Sequence, residues 1–126
     1  MTDTHEGGVL LVDPDPAERD RLRRELEACG WRVCVAEDGA AAVRLCAERG
    51  AEFRVAVVDL QLPGLQGARV LAGLGAVAPA LARLAMSAGL APYAVAAFRR
   101  LTQTPLLAKP VRAADLEAAL AVPSAG

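Results

Sequence analysis

The sequence predicts an α/β domain built on a mostly parallel sheet, and three observations carry that expectation. Strand-like and helix-like stretches alternate from end to end, as βα units require. The run Phe53–Val58 is continuously apolar apart from Arg54, as a central parallel strand should be. Four apolar runs end on polar residues: Asp13 and Asp15 after Val9–Val12, Asp59 after Val55–Val58, Ser87 after Leu84–Met86, and Lys109-Pro110 after Leu106–Ala108. The carboxyl ends of strands in an open parallel sheet line a crevice where ligands and chemistry collect.

The elements follow in order. Gly8–Val12 reads as the first strand. Asp15 as N-cap, Pro16 at the first helical position and Glu18 completing a capping box start the first helix. Leu22, Leu26 and Cys29 mark its buried face at i, i+4 and i+7, and Gly30 stops it in the left-handed position. Trp31–Ala36 is the second strand. A turn at Glu37-Asp38-Gly39 leads to the helix Ala40–Arg49, with Val43 and Cys46 inward and Gly50 as cap. After the third strand, Leu60–Gln66 reads as loop because it holds Pro63 and Gly64. A short glycine-containing helix spans about Gly67–Leu74. Ala82–Met86 is the fourth strand, Pro92–Leu101 the fourth helix, and Leu106–Ala108 a short fifth strand. Ala113–Ala121 closes the set, with Leu116 and Leu120 toward the core. Residues 1–7 read as a disordered tail, 8–121 as the domain, and 122–126 as a tail or the start of a linker.

At 126 residues the chain suits one domain with a real core. Its net charge of −1 and only four aromatic residues argue against a general nucleic-acid binder, which needs a basic surplus or stacking rings. Cys29, Cys34 and Cys46 lack C-x-x-C spacing and read as buried, reduced thiols. The polar, Gly-rich residues 1–8 do not resemble a signal peptide, and no apolar run is near the ~18 residues that span a bilayer. A cytoplasmic protein without membrane contact is expected.

Asp13, Asp15 and Asp59 with Lys109 would leave about two negative charges in the crevice, which a divalent cation relieves. Oxygen ligands with water suit Mg2+. A carboxylate can also attack phosphorus to form an aspartyl phosphate, with a cation such as Lys109 and a hydroxyl such as Ser87 contacting the phosphoryl oxygens.

From about Gly8 to Ala121 the chain resembles the receiver domain of bacterial two-component response regulators. The residues that carry the resemblance are V-D-P-D-P at 12–16, V-V-D-L-Q-L-P-G-L-Q-G at 57–67, M-S-A at 86–88 and K-P at 109–110. The resemblance implies a flavodoxin-like (βα)5 three-layer sandwich with strand order 2-1-3-4-5. It implies Asp59 as phosphoacceptor for a histidine kinase or phosphotransfer protein, Ser87 as switch hydroxyl and Lys109 as phosphoryl contact. It also implies a cis Lys109–Pro110 bond. Mg2+ would be held by Asp13, Asp59, the Gln61 backbone carbonyl and, through water in place of a missing acid, Asp15. Pro14 stands where relatives usually carry a second acid, Leu106 where many carry Tyr or Phe, and Gln66 where an Asp is common. Reduced Mg2+ affinity and an altered switch are therefore expected.

Other readings compete. Asp15 serves equally well as a helix cap, Ser87 as the cap of the next helix and Lys109 as a solvated strand end. Tyr93, Val95, Phe98 and Leu101 read as core on one side, with an exposed patch left open. A degenerate receiver that binds partners without phosphate is the main alternative, supported by Pro14 and Leu106. A haloacid dehalogenase-like phosphohydrolase is a distant third, since only Asp13-Pro14-Asp15 matches its first motif. A downstream target or a missing output domain is implied; a homodimer through the last two helices is compatible with the sequence but not indicated by it.

Overall fold

A computed structural model describes residues 7–61 and 66–121, with backbone only at Gln66. Five strands form one parallel sheet in the order β2-β1-β3-β4-β5. They are β1 (Gly8–Val12), β2 (Arg32–Ala36), β3 (Phe53–Asp59), β4 (Ala82–Ser87) and β5 (Leu106–Ala108). The helices are α1 (Pro16–Ala28), α2 (Gly39–Arg49), α3 (Gln66–Val77), α4 (Pro92–Thr102) and α5 (Ala113–Ala121), and a 3-10 turn at Gly50–Glu52 precedes β3. This is the expected flavodoxin-like arrangement.

Alternating side chains of the central strands divide the core between two faces. Val9, Leu11, Val55, Val57, Leu84 and Met86 pack with Leu22 and Leu26 of α1, Trp31, and Leu116 of α5. Leu10, Val12, Ala56, Val58 and Ala85 pack with Ala42 and Cys46 of α2 and with Val70, Leu71 and Leu74 of α3. Because β1 and β3 are covered on both sides, all their apolar residues are buried, which is why they read as apolar runs broken only by the exposed Arg54.

Several local expectations are corrected. The capping box of α1 does not form. The Asp15 carboxylate accepts from the Ala17 N–H, while the Asp15 N–H is taken by Asp13, so Glu18 turns instead to Arg21. Cys29 is exposed: it follows the last turn of α1 as its C-cap, beyond the inward stripe. Gly30 does adopt the left-handed backbone, with φ of 96°. Trp31 is buried but lies outside β2. Gly50 is the C-cap of α2 as expected, but its backbone is right-handed and it opens the 3-10 turn. α3 starts at Gln66, so the expected loop is shorter at that end; residues 62–65 lie outside the described residues, as do 1–6 and 122–126 with the tails expected there. Tyr93 and Leu101 of α4 are 80% and 81% exposed, and only Val95 and Phe98 of the four expected core positions are half-buried. Among the described residues no helix is long and apolar enough to cross a membrane.

Candidate functional site

The parallel register brings the ends of β1, β3, β4 and β5 to one edge. Asp13 follows β1 and is held there by its N–H, which donates to the Ala36 carbonyl at the end of β2 (3.3 Å). Asp59 is the last residue of β3 and pairs with Met86 of β4. Ser87 is the last residue of β4 and pairs with Ala108. Lys109 comes directly after β5, and its N–H donates to the Ser87 carbonyl (2.9 Å). The Lys109–Pro110 bond is cis.

The Lys109 ammonium lies between the two acids. Its Nζ donates to Asp59 Oδ2 at 2.7 Å and to Asp13 Oδ2 at 3.0 Å. Both carboxylates are almost wholly buried, at 2% exposure each. The other carboxylate oxygens are also engaged: Asp13 Oδ1 accepts the Asp15 N–H (2.9 Å) and Asp59 Oδ1 accepts the Gln61 N–H (2.7 Å). An isolated buried charge is costly, and this pattern supplies a partner for each oxygen.

The electrostatics follow from that packing. Burial pushes the Asp13 carboxyl above its ordinary value, and repulsion from Asp59 adds to this; the Asp15 N–H and Lys109 oppose it but do not cancel it. Burial alone would pull Lys109 down, yet its hydrogen bonds to Asp59 and Asp13 outweigh that and hold it above the usual lysine value. Lys109 is thus a firmly charged counter-ion.

Ser87 differs from its neighbours. Its Oγ is buried and has no hydrogen-bond partner among the described residues. Buried hydroxyls are nearly always paired, so an unpaired one at the rim of a crevice marks a place where a ligand oxygen can be received.

Of the expected site residues, the structure gathers Asp13, Asp59 and Lys109 directly and sets Ser87 beside Lys109. The expectation of three converging acids is corrected: the Asp15 carboxylate is exposed and spent on capping α1. Among the described residues, no group of three or more His, Cys, Asp or Glu side chains is placed to hold a metal ion. Gln61 contributes through its N–H to Asp59, and its side-chain Nε2 donates to the Ala88 carbonyl (3.3 Å). Leu106 is half-buried and packs at the edge of the core that includes Ala85 and Val58.

Sequence reasoning missed two contributors. Arg19 donates from Nη1 to the Asp13 carbonyl (2.9 Å), although an arginine on a helix reads as solvated surface. Gly67 is pressed against the end of β3: a Cβ there would stand 2.5 Å from Leu60 Cα and 2.7 Å from the Asp59 carbonyl oxygen. Only the presence of a glycine at the start of a helix hints at so close a contact.

Residues 9–121 match the family of response regulator receiver domains. Sensor histidine kinase AruS of Pseudomonas aeruginosa is 33% identical over 116 residues, 89% of this chain and 11% of the kinase. Transcriptional regulatory protein KdpE of Mycobacterium tuberculosis is 39% identical over 66 residues, 52% of this chain and 28% of the regulator. The chain therefore spans a small part of the curated relatives it matches. Among solved structures, a response regulator receiver domain protein from Clostridium thermocellum superposes with a TM-score of 0.79 at 22% identity, covering 90% of both chains. The signal receiver domain of a modulated diguanylate cyclase from Desulfovibrio desulfuricans gives 0.74 at 28% identity, covering 90% of this chain and 89% of the other.

Proposed function

The chain belongs to the response regulator receiver family, and from that premise we propose that it accepts a phosphoryl group on Asp59 from a histidine kinase or phosphotransfer protein and changes its binding to a downstream target. The observation that supports this best is the buried Asp59 carboxylate held 2.7 Å from Lys109. The unpartnered Ser87 hydroxyl at the same edge adds to it.

In the transfer, a carboxylate oxygen of Asp59 forms the new bond to phosphorus as the bond from phosphorus to the donor's imidazole nitrogen breaks. The donor nitrogen keeps the electron pair. Lys109 is placed to leave the carboxylates and neutralise a phosphoryl oxygen, and Ser87 to donate its hydroxyl to another. Leu106, on the strand beside Ser87, would shift with that hydroxyl less than a ring would, so the switch is a small one.

The donor set suits Mg2+, because Asp13, Asp59 and the Gln61 carbonyl are all hard oxygens and Mg2+ keeps several waters. When bound, the metal supplies charge neutralisation for the phosphoryl oxygens. With Pro14 offering no ligand and Asp15 occupied as a cap, the affinity is low. The domain acts as a signalling module rather than a turnover enzyme, in the cytoplasm, and does not itself bind nucleic acid. A homodimer is compatible with this reading.

Incubation with a small phosphodonor and Mg2+, followed by intact mass measurement, tests it. A single phosphoryl adduct that is absent from Asp59→Asn is expected. An unmodified wild-type chain, or an adduct that survives the substitution, rules the reading out.

A further inference from the structure

We propose that Arg19 is a positioning residue for the acceptor site, holding Asp13 in place through its main chain; this rests on the function proposed for Asp59. Four arginines lie along α1, and Arg21, Arg23 and Arg24 each form an ion pair with an acid one turn away. Arg19 forms no salt bridge among the described residues, even though Asp15 stands at i−4 where a partner is usual. Its half-buried guanidinium instead reaches back six residues to the Asp13 carbonyl.

That carbonyl is the right atom to hold. It sits between the β1 ladder and Pro14, whose ring fixes its own φ and offers no N–H. Two rotations are left at this junction, about the Asp13 and the Pro14 Cα–C bonds, and the first of them swings the carbonyl and the following turn together. The same turn carries the Asp15 N–H that donates to Asp13 Oδ1. Pinning the carbonyl therefore removes one of the two rotations that set the N–H aiming the carboxylate. The carboxylate in turn holds Lys109, which lies 2.7 Å from Asp59. Arg19 touches none of the reacting atoms and acts on them through Asp13.

Two readouts on the full chain test this. Phosphorylation of Arg19→Ala by a small phosphodonor should be about tenfold slower, as expected when a site group is misplaced by a fraction of an ångström. Amide hydrogen exchange at Asp15 should accelerate, while exchange in β3 and the melting temperature stay at wild-type values. Arg19→Lys, which can still donate to the carbonyl, should recover most of the rate; Arg24→Ala, a surface control, should leave it unchanged. Wild-type rate and wild-type Asp15 exchange in Arg19→Ala overturn the inference. So does a slow rate that Arg19→Lys fails to restore, or one explained by general loss of stability. Should Arg19→Ala not fold, Arg19→Gln is read in the same way. If wild-type protein accepts no phosphoryl group, the function proposed above fails, while Asp15 exchange still decides the role of Arg19.

Discussion

A lysine between two buried carboxylates is held by opposing demands. Each acid needs the ammonium because it is out of water, and the ammonium stays charged because both acids face it. Removing one partner of such a group costs far more than the group contributes net, about 3–5 kcal/mol. Lys109→Met should therefore lower stability by roughly 3 kcal/mol near neutral pH, measured by urea unfolding. The deficit should shrink toward acid pH, where Asp13, already raised by burial, takes up a proton. In the wild type, a lysine raised in the folded state adds stability that is fully present below its ordinary pKa and is lost only as pH rises through the higher folded value. Asp59 was legible in the sequence because a charged residue ending a buried apolar run has few innocent explanations, and Lys109 because it follows a short apolar run and precedes Pro110. The fate of Asp15 was not, since a cap and a ligand call for the same residue at the same place. Geometry decided it: Pro14 directs the Asp15 N–H to Asp13 and leaves the Asp15 carboxylate for the helix.

At the scale of elements, α1 and α5 share a core and are also bridged by the Glu25 side chain. Glu25 of α1 accepts the Ala113 N–H at the start of α5 (2.6 Å) and pairs with Arg112 (3.0 Å). It is a helix cap supplied from another helix. That backbone hydrogen bond, with help from Arg112, holds the Glu25 carboxyl below its ordinary value. A lowered acid adds stability above its unfolded pKa and loses it as pH falls through the folded value. Glu25→Gln should thus cost about 1 kcal/mol near neutral pH, the usual worth of a cap, and nothing once both states are protonated. Unfolding measured across the acid range checks this. No sequence pattern points to such a contact, because 88 residues separate its two ends. α4 shows the converse limit. Its position was legible from Pro92 onward, but its inward face was misjudged. At 3.6 residues per turn, Tyr93 lies ~160° from Val95, so the two cannot share one buried stripe.

Across the whole molecule, the order of the strands was legible through resemblance and their existence through apolar runs bounded by Gly, Pro and polar residues. The unequal depth of burial was not. β1 and β3 are sealed on both faces, whereas α4 has no fully buried residue. Local opening is easiest where few apolar contacts must be broken. Native-state hydrogen exchange should therefore rank α4 fastest among the helices and β1 and β3 slowest of all, near the global unfolding limit. Equal protection of α4 and β3 would contradict this picture of the core. Gly67 belongs at this scale too, since its missing side chain lets α3 rest against the strand that carries Asp59.

The first helix has one more consequence. Arg19 grips the carbonyl of Asp13, and Arg21 grips the carbonyl of Val111, two residues beyond Lys109 (2.8 Å). Opposite walls of the crevice thus hang from neighbouring arms of a single rod. A tilt of this rod would therefore pull on Asp13 and on the segment that follows Lys109 at the same time.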